Sequence, residues 1–179
     1  LLYPLLQALD EEYLGVDAQF GGVDQRKIFV LAREFLPKLG YKKRIHLMNP
    51  MVGGLGGDKM SSSDVNSKID ILDTAKQVQK KLNKAHCIEG ELTGNFFIDF
   101  ARIVLFPWLG DLDEKFIIDR PEKYGGQIVY DSYESLCSAF ESKALHPLDL
   151  KIGTAAYINR LLEPIRVAAE SDDVVDLLK

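Results

Sequence analysis

The sequence predicts an α/β fold followed by a mainly helical region, on three observations. Strand-like, helix-like and strand-like stretches alternate within residues 1–50. A glycine- and serine-rich segment occupies residues 51–66. Apolar residues then recur at helical spacing through most of residues 67–179. Strand, helix, strand in that order is the sequence form of a βαβ unit.

Each element has its own local reason. Leu5, Leu6, Leu9, Tyr13 and Leu14 recur at helical spacing, and Gly15 is the stop. Val16 to Phe20 alternates polar and apolar like a strand, which breaks at Gly21-Gly22. Asp24 is a natural N-cap for a helix from Gln25 to Leu36, with Ile28, Leu31, Ala32 and Phe35 as its apolar face. Gly40 ends that helix, and Arg44 to Met48 reads as a second strand. Segment 51–66, MVGGLGGDKMSSSDVN, buries little and is expected to be a mobile loop.

Beyond it, Asp73 is expected to cap a helix lined by Ala75, Val78, Leu82 and Ala85, with Lys76, Lys80, Lys81 and Lys84 off that side. Asp131 and Glu134 form a predicted capping box before Tyr133, Leu136, Cys137 and Phe140. From Pro147 onward, Ala155, Ile158, Leu162, Ile165 and Ala169 keep helical spacing, and Pro164 should kink or break the helix. The first 66 residues hold 8 basic and 8 acidic residues, the remainder 14 and 19. This change of character sets the expected boundary: domains 1–66 and 67–179.

Composition excludes several classes. Hydrophobic residues at 46% and charged ones at 27% are ordinary for a globular chain and argue against disorder. A net charge of −5 excludes a histone-like polyanion binder as a description of the whole chain, leaving a local basic face such as Lys76, Lys80, Lys81 and Lys84. Cys87 and Cys137 lie far apart without CxxC or paired histidines. That argues against a zinc module or disulfide scaffold and for a reducing, cytoplasmic setting. No apolar stretch approaches the ~20 residues of a membrane span. The chain opens Leu1-Leu2-Tyr3-Pro4, without Met or signal peptide, in what reads as the middle of a folded segment.

Three motifs carry candidate chemistry. The glycine-serine loop is no P-loop, because Asp58 precedes Lys59 and Met60 stands where Ser or Thr would hold magnesium. A solvated linker is the commonest fate of such a stretch. Against it stands Lys59-Met60-Ser61-Ser62-Ser63, a cation on a glycine-flanked arm followed by hydroxyls, which suits a polyphosphate. Gly21-Gly22-Val23-Asp24-Gln25-Arg26 offers close backbone approach and a helix N-terminus, although Asp24 there is commonly a plain cap. Tyr3, Gln7 and Asp10, spaced i, i+4, i+7, share one helix face, either simply exposed or lining a pocket.

Together, in this order and spacing, the motifs resemble the class I tyrosyl-tRNA synthetases of the archaeal and eukaryotic type. The strings YPLLQALDEEY, VDAQFGGVDQRKIF, HLMNPMV, DKMSSS, SKIDILD, HPLDLK and LLEPIR carry the resemblance over nearly the whole chain, and KMSSS corresponds to the class I KMSKS signature. The resemblance implies the C-terminal half of a Rossmann-like catalytic domain, residues 1–66, followed by an all-α anticodon-binding domain, residues 67–179. It implies that Tyr3, Gln7 and Gln25 hold the amino group of tyrosine and that Asp10 accepts its phenolic hydroxyl. Gly22 and Asp24 would meet the ribose of ATP, Met51 and Val52 would flank adenine, and Lys59, Ser61 and Ser62 would stabilise the departing pyrophosphate. Tyr124, His146 and Asp149 would read or stack on the first anticodon base.

The implied activity is ATP-dependent activation of tyrosine to tyrosyl-adenylate and its transfer to tRNA(Tyr) in the cytoplasm. ATP with Mg2+ is a substrate, the protein holds no metal of its own, and no membrane is involved. Such chemistry needs positioning and charge stabilisation more than acid–base catalysis, so His46 and His86 are expected to be structural. Rejecting phenylalanine needs a buried group left unpaired when the hydroxyl is missing, a rule for which the family resembled is itself the standard example. No HIGH-type motif occurs in the sequence. The chain is therefore expected to be an inactive piece of a homodimeric enzyme whose main dimer contacts lie elsewhere. The alternatives are a tryptophanyl-tRNA synthetase, disfavoured by Gln7, Asp10 and the DQR string, and a non-catalytic synthetase-like module.

Overall fold

The structure, a computed structural model, describes residues 2–56 and 67–170. The chain passes from one compact unit to the next between Met51 and Val52, upstream of the expected boundary at 66. The reason is Leu55. It is 3% exposed, belongs to the second unit's core, donates its N–H to Ser67 O at 3.0 Å and accepts from His86 N at 2.7 Å.

The first unit is the expected βαβ arrangement behind a leading helix. Helix α1 (Tyr3–Tyr13) starts with Pro4 in its first turn, where the missing N–H costs nothing, and buries Ala8 and Glu11. Strand β1 (Ala18–Gly22) pairs in parallel with β2 (Ile45–Asn49), with Gln19 opposite His46 and Gly22 opposite Asn49. Gly21 and Gly22 are thus inside the strand rather than past its end. A β-carbon on Gly21 would come to 3.0 Å from the Phe29 ring, so glycine lets α2 (Arg26–Phe35) lie close to the sheet. A short 3₁₀ turn, Val23–Gln25, precedes α2, whose N-cap is Gln25 rather than the expected Asp24. The buried stripe of α2 runs Phe29, Ala32 and on to Leu36, while Phe35 is 47% exposed, so the apolar face is rotated from the expected one. Gly40, at φ +85°, closes the segment as foreseen.

A side-chain clip joins α1 to β2. Glu11, 2% exposed, lies with Oε1 2.7 Å from His46 Nε2, and the His46 ring stacks on Phe29 at 4.8 Å. Beside it Arg44 pairs with Glu12 at 2.7 Å and donates to Val16 O.

In the second unit, α3 (Ala75–Lys84) is capped by Thr74, one residue past the expected Asp73. Thr74 and Gln77 satisfy each other's backbone donors, a capping box that leaves the Asp73 carboxylate for Asp70 N and Lys81. Lys81 is thereby removed from the exposed basic face, which keeps Lys76, Lys80 and Lys84. A helical run not anticipated above follows: α4 (Phe96–Phe100), a π turn (Ala101–Leu105) and α5 (Phe106–Asp111). Asn95 caps it through Phe97 N at 3.0 Å, and Phe97, Ile98, Ala101, Leu105 and Leu109 fill the core.

The all-helical expectation for this region is corrected by an antiparallel pair, β3 (Phe116–Ile118) with β4 (Ile128–Tyr130). Phe116 and Ile118 face inward and are fully buried, while Ile117 faces out. Helix α6 (Tyr133–Glu141) is capped by Ser132 with Ser135 rather than by Asp131 with Glu134, because Asp131 is engaged with Lys115 at 2.6 Å.

Helix α7 (Pro147–Ala169) runs unbroken through Pro164 and packs on α3 and β3. Three fastenings support it. Lys151 Nζ donates to Ala85 O at 2.7 Å at the end of α3, Tyr157 OH accepts from Ile117 N at 3.0 Å, and Arg166 Nε donates to Asp73 O at 2.8 Å. Gly153 lets β3 approach, since a β-carbon there would stand 2.7 Å from Ile118 Cγ1 and 3.1 Å from the Phe116 ring. Gly153→Ala is therefore expected to destabilise the unit by about 1–2 kcal/mol, overpacking of about 1–3 kcal/mol outweighing a helix-propensity gain of up to about 1. A lower denaturant midpoint at unchanged m-value is the expected reading, and an unchanged or raised midpoint would show that the contact yields freely.

Candidate functional site

Two clusters gather part of the sequence-predicted residues, one in each unit. In the first, the end of β1, the 3₁₀ turn and α1 converge. Gln7 Nε2 donates to Gln25 Oε1 at 3.2 Å, and Gln25 Nε2 donates to Asp24 Oδ2 at 3.1 Å. Gly22 lies against them: a β-carbon there would stand 2.5 Å from Asp24 Oδ1 and 3.1 Å from Met51 Sδ, so a side chain would displace the Asp24 carboxylate. Gln7, Gln25, Asp24, Gly22 and Met51 thus form one contiguous strip.

Within that strip Gln7 Oε1 is buried without a hydrogen-bond partner. A buried acceptor left open costs on the order of 1–3 kcal/mol, so the position favours a ligand that brings an N–H. Tyr3 and Asp10 stand on α1 one turn to either side of Gln7 and are exposed, Tyr3 by 69%. Val52 belongs to the second unit and packs against its core. Lys59, Ser61 and Ser62 lie outside the described residues.

In the second unit the loop 119–127 joins β3 to β4. Tyr124 ends its 3₁₀ turn (Glu122–Tyr124), 62% exposed, with Lys123 Nζ 4.8 Å above the ring. His146 caps α7, its Nδ1 accepting from Leu148 N at 3.1 Å. Asp149, in the first turn of α7, pairs through Oδ2 with Arg120 Nη1 at 3.3 Å. Arg120 Nε also donates to Gly126 O at 3.0 Å, so one guanidinium connects the Tyr124 loop to the start of α7. Close by, burial pushes the Tyr130 phenol above its ordinary pKa, with Arg120 opposing the rise and Asp149 adding to it.

Sequence reasoning missed Arg120, which pairs with a residue 29 positions away and lies in no periodic pattern. The Glu11–His46 pair was equally invisible, being 35 positions apart. A separate open groove of about 430 Å³ runs between α2 and β2, lined by Arg26, Arg33, Lys43, Phe29, Val30 and Met48. Among the described residues no group of three or more His, Cys, Asp or Glu could hold a metal ion, and no helix is long and apolar enough to cross a membrane.

The sequence profile described as tRNA synthetases class I (W and Y) matches residues 1–163. The cytoplasmic tyrosine–tRNA ligase of Saccharomyces cerevisiae is 59% identical over 171 residues, which is 93% of this chain and 43% of that protein. The crystal structure of tyrosyl-tRNA synthetase complexed with L-tyrosine from Archaeoglobus fulgidus is 46% identical. Its TM-score is 0.80, covering 92% of this chain and 50% of that one. A tryptophanyl-tRNA synthetase from Giardia lamblia, at 20% identity and TM-score 0.59 over 89% of this chain and 37% of that one, shares the fold alone. The chain spans half or less of the length of these relatives.

Proposed function

The chain belongs to the class I tRNA synthetase family of the tryptophan and tyrosine enzymes, and from that premise we propose that it is part of a tyrosine–tRNA ligase. Residues 2–51 form part of a Rossmann-like catalytic domain, and residues 52–170 form an anticodon-binding domain. The protein activates tyrosine with ATP and transfers it to tRNA(Tyr). It works in the cytoplasm, as the name of its yeast relative indicates for that protein. Full length, it works as a homodimer.

The observation that carries the reading is the open acceptor on Gln7. An α-ammonium group supplies the donor that Gln7 Oε1 lacks, and Gln25, held between Gln7 and Asp24, fixes the amide that receives it. Tyr3 and Asp10, on the same face of α1, complete the amino-acid side, with Asp10 accepting from the phenol. Gly22 and Asp24 take the ribose, since only glycine leaves the Asp24 carboxylate in place, and Met51 lies beside adenine. Val52 is assigned to adenine by its place in the motif, and Lys59, Ser61 and Ser62 to the pyrophosphate. Adenylation then needs the carboxylate of tyrosine held in line with the α-phosphate and the developing charge stabilised, which is work for amides, backbone and one cation. Mg2+ enters with ATP. The described residues offer it no cage of their own, and no step of this reading passes through it.

The test is pyrophosphate exchange by the full-length protein with tyrosine, tryptophan or phenylalanine as the amino acid. Tyrosine alone is expected to support exchange. Exchange with tryptophan instead would reassign the pocket, and none with any of the three would make the protein a non-catalytic module.

A further inference from the structure

Tyr124 and Asp149 lie on separate pieces of chain, the β3–β4 loop and the first turn of α7. What fixes one against the other is the Arg120 guanidinium. Nε donates to Gly126 O, closing the loop onto its own beginning, and Nη1 reaches Asp149 Oδ2. Nη2 stands 3.1 Å from where a β-carbon on Gly125 would be, and Gly125 and Gly126 have φ of +95° and +69°. The turn after Tyr124 is thus built around the guanidinium by two residues in a conformation that side chains resist.

Burial separates this arginine from an ordinary phosphate-attracting one. Its side chain is 17% exposed and that of Asp149 20%, against 62% for the Tyr124 residue as a whole. An arginine that served only to draw in a polyanion would keep its planar donors in solvent. Here they are directed to a carbonyl and a carboxylate inside the protein.

We infer that Arg120 is a positioning residue that sets specificity for the first anticodon base, by holding the Asp149 carboxylate and the Tyr124 turn in one fixed relation. The inference rests on the proposed anticodon role of Tyr124, His146 and Asp149. Binding Oδ2 leaves Asp149 Oδ1 to accept from a base edge, while the same guanidinium fixes the turn on which the Tyr124 ring stacks against the base. Arg120 itself touches no RNA.

The experiment uses the full-length protein as Arg120→Ala, Arg120→Lys, Asp149→Ala and the double variant Arg120→Ala/Asp149→Ala. Aminoacylation kcat/KM is measured for tRNA with its native first anticodon base and for a transcript altered there, and the ratio reports discrimination. Asp149→Ala and Arg120→Ala are each expected to lower the ratio about tenfold, the size of one hydrogen bond to a charged group. The double variant should fall no further than the deeper single, since both remove the same arrangement. Arg120→Lys, a point charge without a planar fork, should also lower the ratio. It carries the test should Arg120→Ala fail to fold, and an unchanged ratio in it overturns the inference.

Three further outcomes count against it. A ratio lowered by Asp149→Ala but not by Arg120→Ala overturns the inference and leaves the anticodon reading standing. Ratios unchanged in both remove the anticodon reading and the inference together. Additive losses in the double variant would mean that Arg120 meets the RNA independently.

Discussion

Lys59→Ala in the full-length protein is expected to slow single-turnover formation of tyrosyl-adenylate by about 10²–10³-fold, with the dissociation constant for ATP changed far less. The magnitude is that of removing one donor from charge that develops in a transition state, about 2.7–4 kcal/mol. The asymmetry is the informative part. A cation that meets the leaving pyrophosphate only as the α-phosphate is attacked lowers the barrier without strengthening ground-state binding. Lys59 lies outside the described residues, and the expectation stands on its place in the KMSSS string. Loss of ATP affinity at an unchanged rate would make it a ground-state anchor instead.

Asp10→Ala should damage the other substrate. Losing a charged acceptor for the tyrosine phenol is expected to cost about 1.5–3 kcal/mol, a factor on the order of 10 to 100 in kcat/KM for tyrosine. The KM for ATP should stay near its original value, because the Gly22–Asp24–Met51 part of the strip is untouched. Asp10 sits on α1 just past Gln7 and is exposed in this chain, so the substitution removes no buried contact and a stability artefact is not expected. An unchanged tyrosine KM would take Asp10 out of the pocket and leave Gln7 and Gln25 as the recognition pair.

The parts legible in the sequence were those written in periodicity or in contiguous motifs. The βαβ unit, α1 and α7 announced themselves by the spacing of their apolar residues. The strings around Gln7 and Asp24 led to a strip that the structure assembles with hydrogen bonds of 3.2 and 3.1 Å. Misreadings came where two local rules competed. Gly21 and Gly22 read as a strand end, yet the ladder to Met48 and Asn49 carries them, Gly21 making room for Phe29 of α2 and Gly22 for Asp24 and Met51. Asp73 and Asp131 read as caps, but their charges found Lys81 and Lys115, and the neighbouring Thr74 and Ser132 capped instead. Pro164 read as a break, but packing against α3 and β3 carries α7 through it. The β3–β4 pair was missed because three-residue strands are too short to show an alternation. Arg120 was missed because its partners are set by tertiary structure, which no single-sequence pattern records.

The Glu11–His46 clip has a consequence for the order in which this protein takes shape. Its two halves are 35 positions apart, and Glu12 is likewise held by Arg44, just before the second strand. A chain emerging from the ribosome can wind α1 at once from local spacing alone. Ala8 can then pack on Ala32 and Leu36, but the clip itself closes only once β2 has been made and paired, since the loop it spans has to be ordered before its contacts repay the lost entropy. The helix bearing Tyr3, Gln7 and Asp10 is therefore fastened in two steps, first on α2 and then on β2, although it is the first part synthesised in this stretch of chain. A nascent chain halted before Arg44 would carry Tyr3, Gln7 and Asp10 on a helix able to pack on α2 but still without the clip.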